Sequence, residues 1–240
     1  MATMKIKCIH CGSEEVVKVG KQKNGTPRCK CKKCQKTFQT KYVNKGALPE
    51  TKKMIIKMSV NGSGIRATAR VLGNKQRYSY ETFKKTEKSL TSVNPKYVNL
   101  EEPLTVRLEM DEMWGRVYCK ETPCWLWHAI NHENGELIAY VLGSREHDML
   151  QQLLELLNGL NLNIVSVYSD NNFAYHDGIS PEILQTGKKN TQKIERKHLT
   201  FRTRLKRLAR KTICFSKSLH MHKIMIGLLI NVLEFGCALF

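Results

Sequence analysis

Acidic residues are scarce in this chain: 21 Asp and Glu stand against 40 Lys and Arg, for a formal charge of +19. With a pI near 9.6, that imbalance suits a polyanionic partner. A ribosomal-type or membrane-surface protein would share it, so chemistry has to separate these classes. No basic-then-apolar leader opens the sequence, so an oxidising compartment is not expected, and the nine cysteines are read as reduced. No apolar run reaches the roughly 20 residues that a membrane span needs. Residues 224–240 come nearest, interrupted by Asn231 and Glu234, and read as a buried or dimerising helix.

Apolar content of 41% is ordinary for a soluble globular protein, and 240 residues hold one large domain or two to three small ones. The excess charge is concentrated. Residues 1–46 carry twelve cations against Glu14 and Glu15, and residues 188–217 carry twelve against Glu195 alone. Two basic surfaces suggest two contacts with nucleic acid, mostly to phosphate.

Cys8-Ile9-His10-Cys11 and Cys31-Lys32-Lys33-Cys34 repeat C-x2-C across a gap of nineteen residues, a spacing that offers four thiolates to a structural Zn2+. Val16 to Val19 and Lys36 to Gln39 read as strands, with a tight turn at Asn24-Gly25-Thr26-Pro27. Cys29 is surplus, and His10 is an alternative ligand. A zinc ribbon is therefore expected over residues 1–46, with the metal supplying folding free energy that so small a core lacks.

Residues 47–92 read as three short helices. Met54, Ile55 and Met58 share one face; Asn61-Gly62-Ser63-Gly64 breaks the chain; Ile65, Ala69 and Leu72 resume the helical spacing up to Gly73-Asn74; and Tyr80 to Leu90 form a basic third helix. This is the plan of a helix-turn-helix unit, and equally of a small structural bundle. Arg66, Arg70, Arg77, Lys84 and Lys85 are its candidate DNA contacts. Residues 93–103, with two prolines, read as a linker.

From residue 104 the pattern changes. Leu104, Val106, Leu108 and Met110 alternate with Thr105, Arg107, Glu109 and Asp111, a strand with one buried face and its acids on the other. Strands follow near 117–119, 125–130 and 137–142, then a leucine-rich helix over 146–160 and a strand over 164–169 that ends at Asp170. A long helix over 190–211 gathers Ile194, Phe201, Leu205 and Leu208 on one stripe and Glu195, His198, Arg202 and Lys206 on the next. The fold class is α/β; a ribonuclease-H-like domain fits residues 104–240, and other mixed folds remain open on pattern alone. On the residues alone, Glu109 and Glu112 compete with Asp111 for a catalytic role, and Asp170 could serve a turn. His220 and His222 read as surface residues.

Asp111-Glu112-Met113-Trp114, Tyr168-Ser169-Asp170-Asn171-Asn172 and Thr191 through Arg202, with Arg210-Lys211 and Phe215 to Ser218, resemble the catalytic region of the insertion-sequence-1 family of bacterial transposases. The N-terminal cysteine pairs and Arg66-Ala67-Thr68-Ala69-Arg70 resemble that family's DNA-binding part. The resemblance implies that Asp111, Asp170 and Glu195 form a DDE triad holding Mg2+ (or Mn2+), with Arg202 as the basic residue of the catalytic helix. Arg196 and Arg204 join the candidate DNA contacts. It further implies binding of terminal inverted repeats, two-metal cleavage and strand transfer on double-stranded DNA, and action as a homodimer or higher assembly. The expected location is the cytoplasm of a bacterium or archaeon, at the nucleoid. Two other readings stand beside it: a non-catalytic DNA-binding regulator or inactive remnant, and a different ribonuclease-H-like nuclease.

Overall fold

The computed structural model describes residues 6–22, 25–40, 46 and 48–238. Lys5, Lys23, Lys41 and Lys45 of the first basic cluster, Asn24 of the expected turn, and the last two residues lie outside them. The chain divides into two compact units, Met1–Lys57 with Gly64–Thr82, and Met58–Ser63 with Phe83–Leu239.

The first unit begins with three antiparallel strands, β1 (Val16–Lys21), β2 (Pro27–Cys31) and β3 (Thr37–Gln39), in that spatial order. Its core is small: Cys8, Cys29, Cys31 and Phe38 are buried, flanked by Ile9, Val16 and Cys34. Burying so few side chains at about 25 cal/mol per Å2 cannot offset the entropy of ordering the segment, so another source of stability is required. Gly25, at φ +79°, takes the left-handed turn between β1 and β2 that its lack of Cβ permits.

Three helices follow: α1 (Pro49–Val60), α2 (Ile65–Val71) and α3 (Gln76–Glu87). Gly62, at φ +82°, separates the first two, and Gly73, at φ +59°, ends the second, where the Asn74 N–H returns to the Ala69 carbonyl. Helix α3 starts four residues before the position that hydrophobic spacing predicts. Its buried face is Ser79, Thr82, Phe83 and Thr86, a helical i, i+3, i+4, i+7 stripe made mostly of hydroxyl side chains. Thr82 satisfies its hydroxyl on the Tyr78 carbonyl at 2.7 Å. A face of this kind carries no apolar periodicity.

The second unit is built on one five-stranded sheet. A long hairpin of β4 (Leu104–Val117) and β5 (Cys119–Asn131) continues into β6 (Leu137–Gly143); β7 (Leu162–Ser169) and β8 (Leu184–Thr186) add parallel strands, giving the order β6-β5-β4-β7-β8. Helix α4 (His147–Asn158) precedes β7, and α5 (Phe173–Gly178) bridges β7 and β8. On one face of the sheet Val106, Leu108, Met110, Trp127 and Val167 bury against Leu150, Leu153 and Leu157 of α4 and Tyr175 of α5. This mixed α/β arrangement fits a ribonuclease-H-like domain.

Three further expectations change here. Helix α6 (Gln192–Arg204) stops at Leu205, which is extended (φ −109°, ψ 105°), so the helix expected through residue 211 is cut short. The bend lets Leu205 and Leu208 bury without continuing the helix. Helix α6 packs on the acid-bearing face of β4, where Glu109 is buried and Asp111 is partly exposed. Residues 93–103, read as a linker, are docked: Val93 bridges Ala139, the Asn94 amide donates to the Leu137 carbonyl, and Tyr97 is buried. His222 is buried and paired with Ser216 Oγ at 2.7 Å, because α7 (Leu219–Leu233) packs its central residues, 224–231, into the unit.

Candidate functional site

In the first unit, the sulfurs of Cys8, Cys11, Cys31 and Cys34 lie within 4.8 Å of one another. Turn geometry brings them together: the Cys34 N–H points at Cys31 Sγ at 3.5 Å and the His10 N–H at Cys8 Sγ at 3.4 Å. The bond from the Cys34 N–H is the main influence that holds the Cys31 thiol below its ordinary value, to about 6. Four such thiol donors fit a tetrahedral soft-to-borderline cation. Cys29 instead faces the small core opposite Phe38, and the His10 ring stands edge-on to Phe38.

In the second unit, the parallel register of β4 and β7 pairs Glu109 with Tyr168. Two residues further along each strand come Asp111 and Asp170, so the register sets them side by side where β7 ends. Carboxylate oxygens of Asp111, Glu112 and Asp170 lie within 4.8 Å of one another. Helix α6 lays Glu195, His198, Leu199 and Arg202 along a cleft whose floor is Asp111 and Glu112; Arg210, past the end of the helix, completes the lining.

The other two acids of β4 carry hydrogen bonds that hold neighbouring elements. Glu109 is buried; its Oε2 accepts the Ile194 N–H at 2.9 Å, capping the first turn of α6, and its Oε1 meets His132 Nδ1 at 2.8 Å. Glu112 accepts from Arg145 Nε (3.0 Å) and Nη2 (2.8 Å), from Asn172 Nδ2 (2.9 Å) and from the Tyr175 hydroxyl (3.1 Å). Asn172 in turn donates its N–H to Asp170 Oδ1 at 3.1 Å, so Glu112 anchors the loop that carries Asp170.

Burial, and then the charge of Glu112, push the Asp111 carboxyl up to about 7; Asp170 and Glu195 add to the effect, while the Glu112 N–H opposes it. Oxygen donors in this concentration fit a hard divalent cation. His198, whose Nδ1 is 3.7 Å from Asp111 Oδ2, is pushed down to about 3 by burial, Arg202 and Arg210, so it is neutral at pH 7. The cleft thus faces acids on the sheet with two arginines from the helical side, an arrangement suited to a phosphodiester held beside cations.

Among the other residues singled out in the sequence, Arg66 and Arg70 are exposed one turn apart on α2. Arg77, Lys84 and Lys85 are exposed on α3, Arg77 lying 4.0 Å from Glu81. Arg196 and Arg204 are exposed on α6. The structure adds Glu112, His198, Leu199 and Arg210 to the cleft. His198 was visible on the polar stripe of its helix, three residues after Glu195, and Arg210 stood in the basic segment; the connection of Glu112 to Arg145 had no sequence signal.

No helix among the described residues is long and apolar enough to cross a membrane. The sequence model of the IS1 transposase family matches residues 104–236, and that of the InsA C-terminal domain matches residues 42–74. The insertion element iso-IS1n protein InsB of Shigella dysenteriae is 43% identical over 123 residues, covering 51% of this chain and 92% of that protein. The IS1 protein InsB of Shigella flexneri is 35% identical over 129 residues, covering 54% and 97%. With an acid cleft on a mixed α/β sheet and a family match across most of that unit, the chain belongs to the IS1 transposase family and is a DDE transposase.

Proposed function

We propose that this transposase binds the terminal inverted repeats of an insertion sequence and catalyses metal-dependent DNA cleavage and strand transfer. Asp111, Asp170 and Glu195 are the acidic triad of this reading, and Arg202 is their basic partner. The observation that carries it is the β4–β7 register, which sets Asp111 beside Asp170, while Asp111 also lines a cleft with Glu195, Arg202 and Arg210. Mg2+ or Mn2+ bound by these carboxylates supplies nucleophile activation and neutralises charge on the leaving oxygen.

The rest falls to the chain. Strand ends hold Asp111 and Asp170 rigidly, and the Glu109 cap fixes the helix turn from which Glu195 projects. Arg202 and Arg210 clamp the phosphate, and His198, neutral at pH 7, adds no cation of its own beside Asp111. Water and then a freed 3′-hydroxyl are the attacking groups, so no side-chain nucleophile is needed. The match to the transposase family does not favour a non-catalytic remnant.

The DNA-reading part is a zinc ribbon over residues 1–46, held by Cys8, Cys11, Cys31 and Cys34, and a helix-turn-helix unit over 47–92. Arg66, Arg70, Arg77, Lys84 and Lys85 contact DNA there, and Arg196 and Arg204 hold phosphates beside the cleft. Residues 93–103 join these parts to the catalytic domain at 104–240. Joining two DNA ends requires at least a homodimer, working in the bacterial or archaeal cytoplasm at the nucleoid.

Substrate preference tests this reading. A duplex carrying the element's terminal repeats is cut in preference to branched DNA and to an RNA–DNA hybrid; equal cutting of all three would point to a general nuclease. Zinc analysis gives one ion per chain. Chelation opens residues 8–39 to protease, and Cys31→Ser does the same; a protease-resistant segment after zinc removal would contradict the ribbon.

Because the Asp111 carboxyl titrates near 7, metal binding must displace its proton below that pH. Apparent Mg2+ affinity, read from the rise in Tm, therefore falls as pH drops from 8 to 6, by up to about tenfold per unit below pH 7. Without metal the sign reverses. Asp111 binds its proton more tightly in the folded chain, so its contribution to stability declines as pH rises from about 3.8 to about 7. Equal Mg2+ affinity at pH 6 and pH 8 would refute this account of the cleft.

A further inference from the structure

Two large apolar side chains, each a few residues along the chain from a candidate acid, stand in solvent. Phe173 is 79% exposed and Leu199 is 61% exposed. Leu199 lines the cleft with Asp111, Glu112 and Glu195, one helical turn beyond Glu195. Phe173 opens α5 only three residues after Asp170, which places it within about 10 Å of that residue by chain reach.

The backbone under Phe173 is tied on both sides. Asn172 Oδ1 accepts the Ala174 N–H at 3.2 Å, its Nδ2 donates to Glu112 at 2.9 Å, and its N–H donates to Asp170 at 3.1 Å. The same short helix turns Tyr175 fully inward. The backbone that carries the ring is thus held within reach of the acids, while most of the ring stays exposed and open to an apolar partner.

The chemistry of the cleft says what that partner is. Arg202 and Arg210 draw a phosphate chain to the acids, so whatever covers Phe173 is attached to that chain. A stacked duplex presents phosphate and sugar there and hides the faces of its bases. An aromatic ring gains a face-to-face partner only when a base leaves the stack. We propose that Phe173 stacks on a nucleobase displaced from the duplex next to the cleaved phosphate, with Leu199 giving apolar contact inside the cleft. Phe173 touches no reacting atom; it is a positioning residue that holds the strand open so that the phosphate can settle onto the acids. The proposal rests on the transposase reading above.

Permanganate, which oxidises unstacked thymines, reads the opening without any cleavage. Duplexes carrying the element's end, with thymines at the positions flanking the cleaved phosphate, are bound in Ca2+ buffer to the wild type, Phe173→Ala and Phe173→Trp. The wild type raises the reactivity of a thymine beside that phosphate at least about fivefold over free DNA. Phe173→Ala returns it to the free-duplex level with affinity within about twofold, and Phe173→Trp retains it. In Mg2+, Phe173→Ala slows cleavage of the paired duplex about tenfold, and two mismatched pairs at the junction restore the rate to within about twofold of wild type.

A wild-type complex with no reactive thymine overturns the proposal. So does a Phe173→Ala complex as reactive as wild type, or a rate defect that mismatches do not relieve. A chain that opens the duplex and never cuts it would fail the transposase reading while leaving the base contact standing.

Discussion

Asp111→Asn leaves the chain folded and DNA-bound, and lowers strand cleavage by about a thousandfold or more. The substitution removes one anion from the cradle proposed to hold the cation, and a loss of about 4 kcal/mol in transition-state stabilisation corresponds to that factor. Its effect on stability has the opposite sign. The Asp111 carboxylate is buried and repelled by Glu112, Asp170 and Glu195, which is why its carboxyl titrates near 7. An asparagine oxygen can still accept the Glu112 N–H that Asp111 Oδ1 accepts at 2.8 Å. Metal-free Asp111→Asn therefore melts no lower than wild type at pH 8 and shows no gain at pH 4, where the wild-type carboxyl is largely protonated. Cleavage within about tenfold of wild type would remove Asp111 from the triad.

Glu112→Ala acts through structure first. Two effects compete: losing its charge relieves repulsion on Asp111, and losing its oxygens strands the groups that donate to them. Arg145 is about half exposed and can rehydrate, so its pairing contributes little. Tyr175 is fully buried and Asn172 partly so, and both give a donor to Glu112 in the described structure. Two unsatisfied groups at roughly 1–3 kcal/mol each outweigh the relief, for a net loss of about 2–4 kcal/mol. At roughly 2–4 °C per kcal/mol, the expected fall in Tm is about 4–16 °C. The loop carrying Asp170 loosens with it, so cleavage drops even below the new melting point. Glu112→Gln keeps an acceptor for Tyr175 and recovers much of the stability. A Glu112→Ala chain as stable as wild type would show that this network does not hold the loop.

The parts of the site that reach across few residues, or along one strand, were legible in the sequence. The two C-x2-C pairs announce their own meeting, and the alternation of β4 and the end of the strand before Asp170 are local patterns. The engagement of Glu109 was not, because it depends on α6 crossing β4 and taking that acid as its cap. Only the family resemblance favoured Asp111 beforehand. The third helix was misplaced because its inner face is Ser79, Thr82 and Thr86 around a single Phe83. Helix α6 looked longer than it is because Leu205 and Leu208 keep a helical spacing after the chain has already turned. The docking of residues 93–103 rests on side-chain bonds from Asn94 and Tyr97 to residues some forty positions away, which no local window contains.

The most direct measurement is Mg2+-dependent cleavage and joining of a duplex carrying the element's own ends, wild type against Glu195→Gln. The wild type is expected to give a free 3′-hydroxyl and a joined product, and a Glu195→Gln chain that binds the same duplex equally well is expected to give neither. A wild-type chain that binds without cutting, or a Glu195→Gln chain that cuts and joins like wild type, would contradict the proposed function.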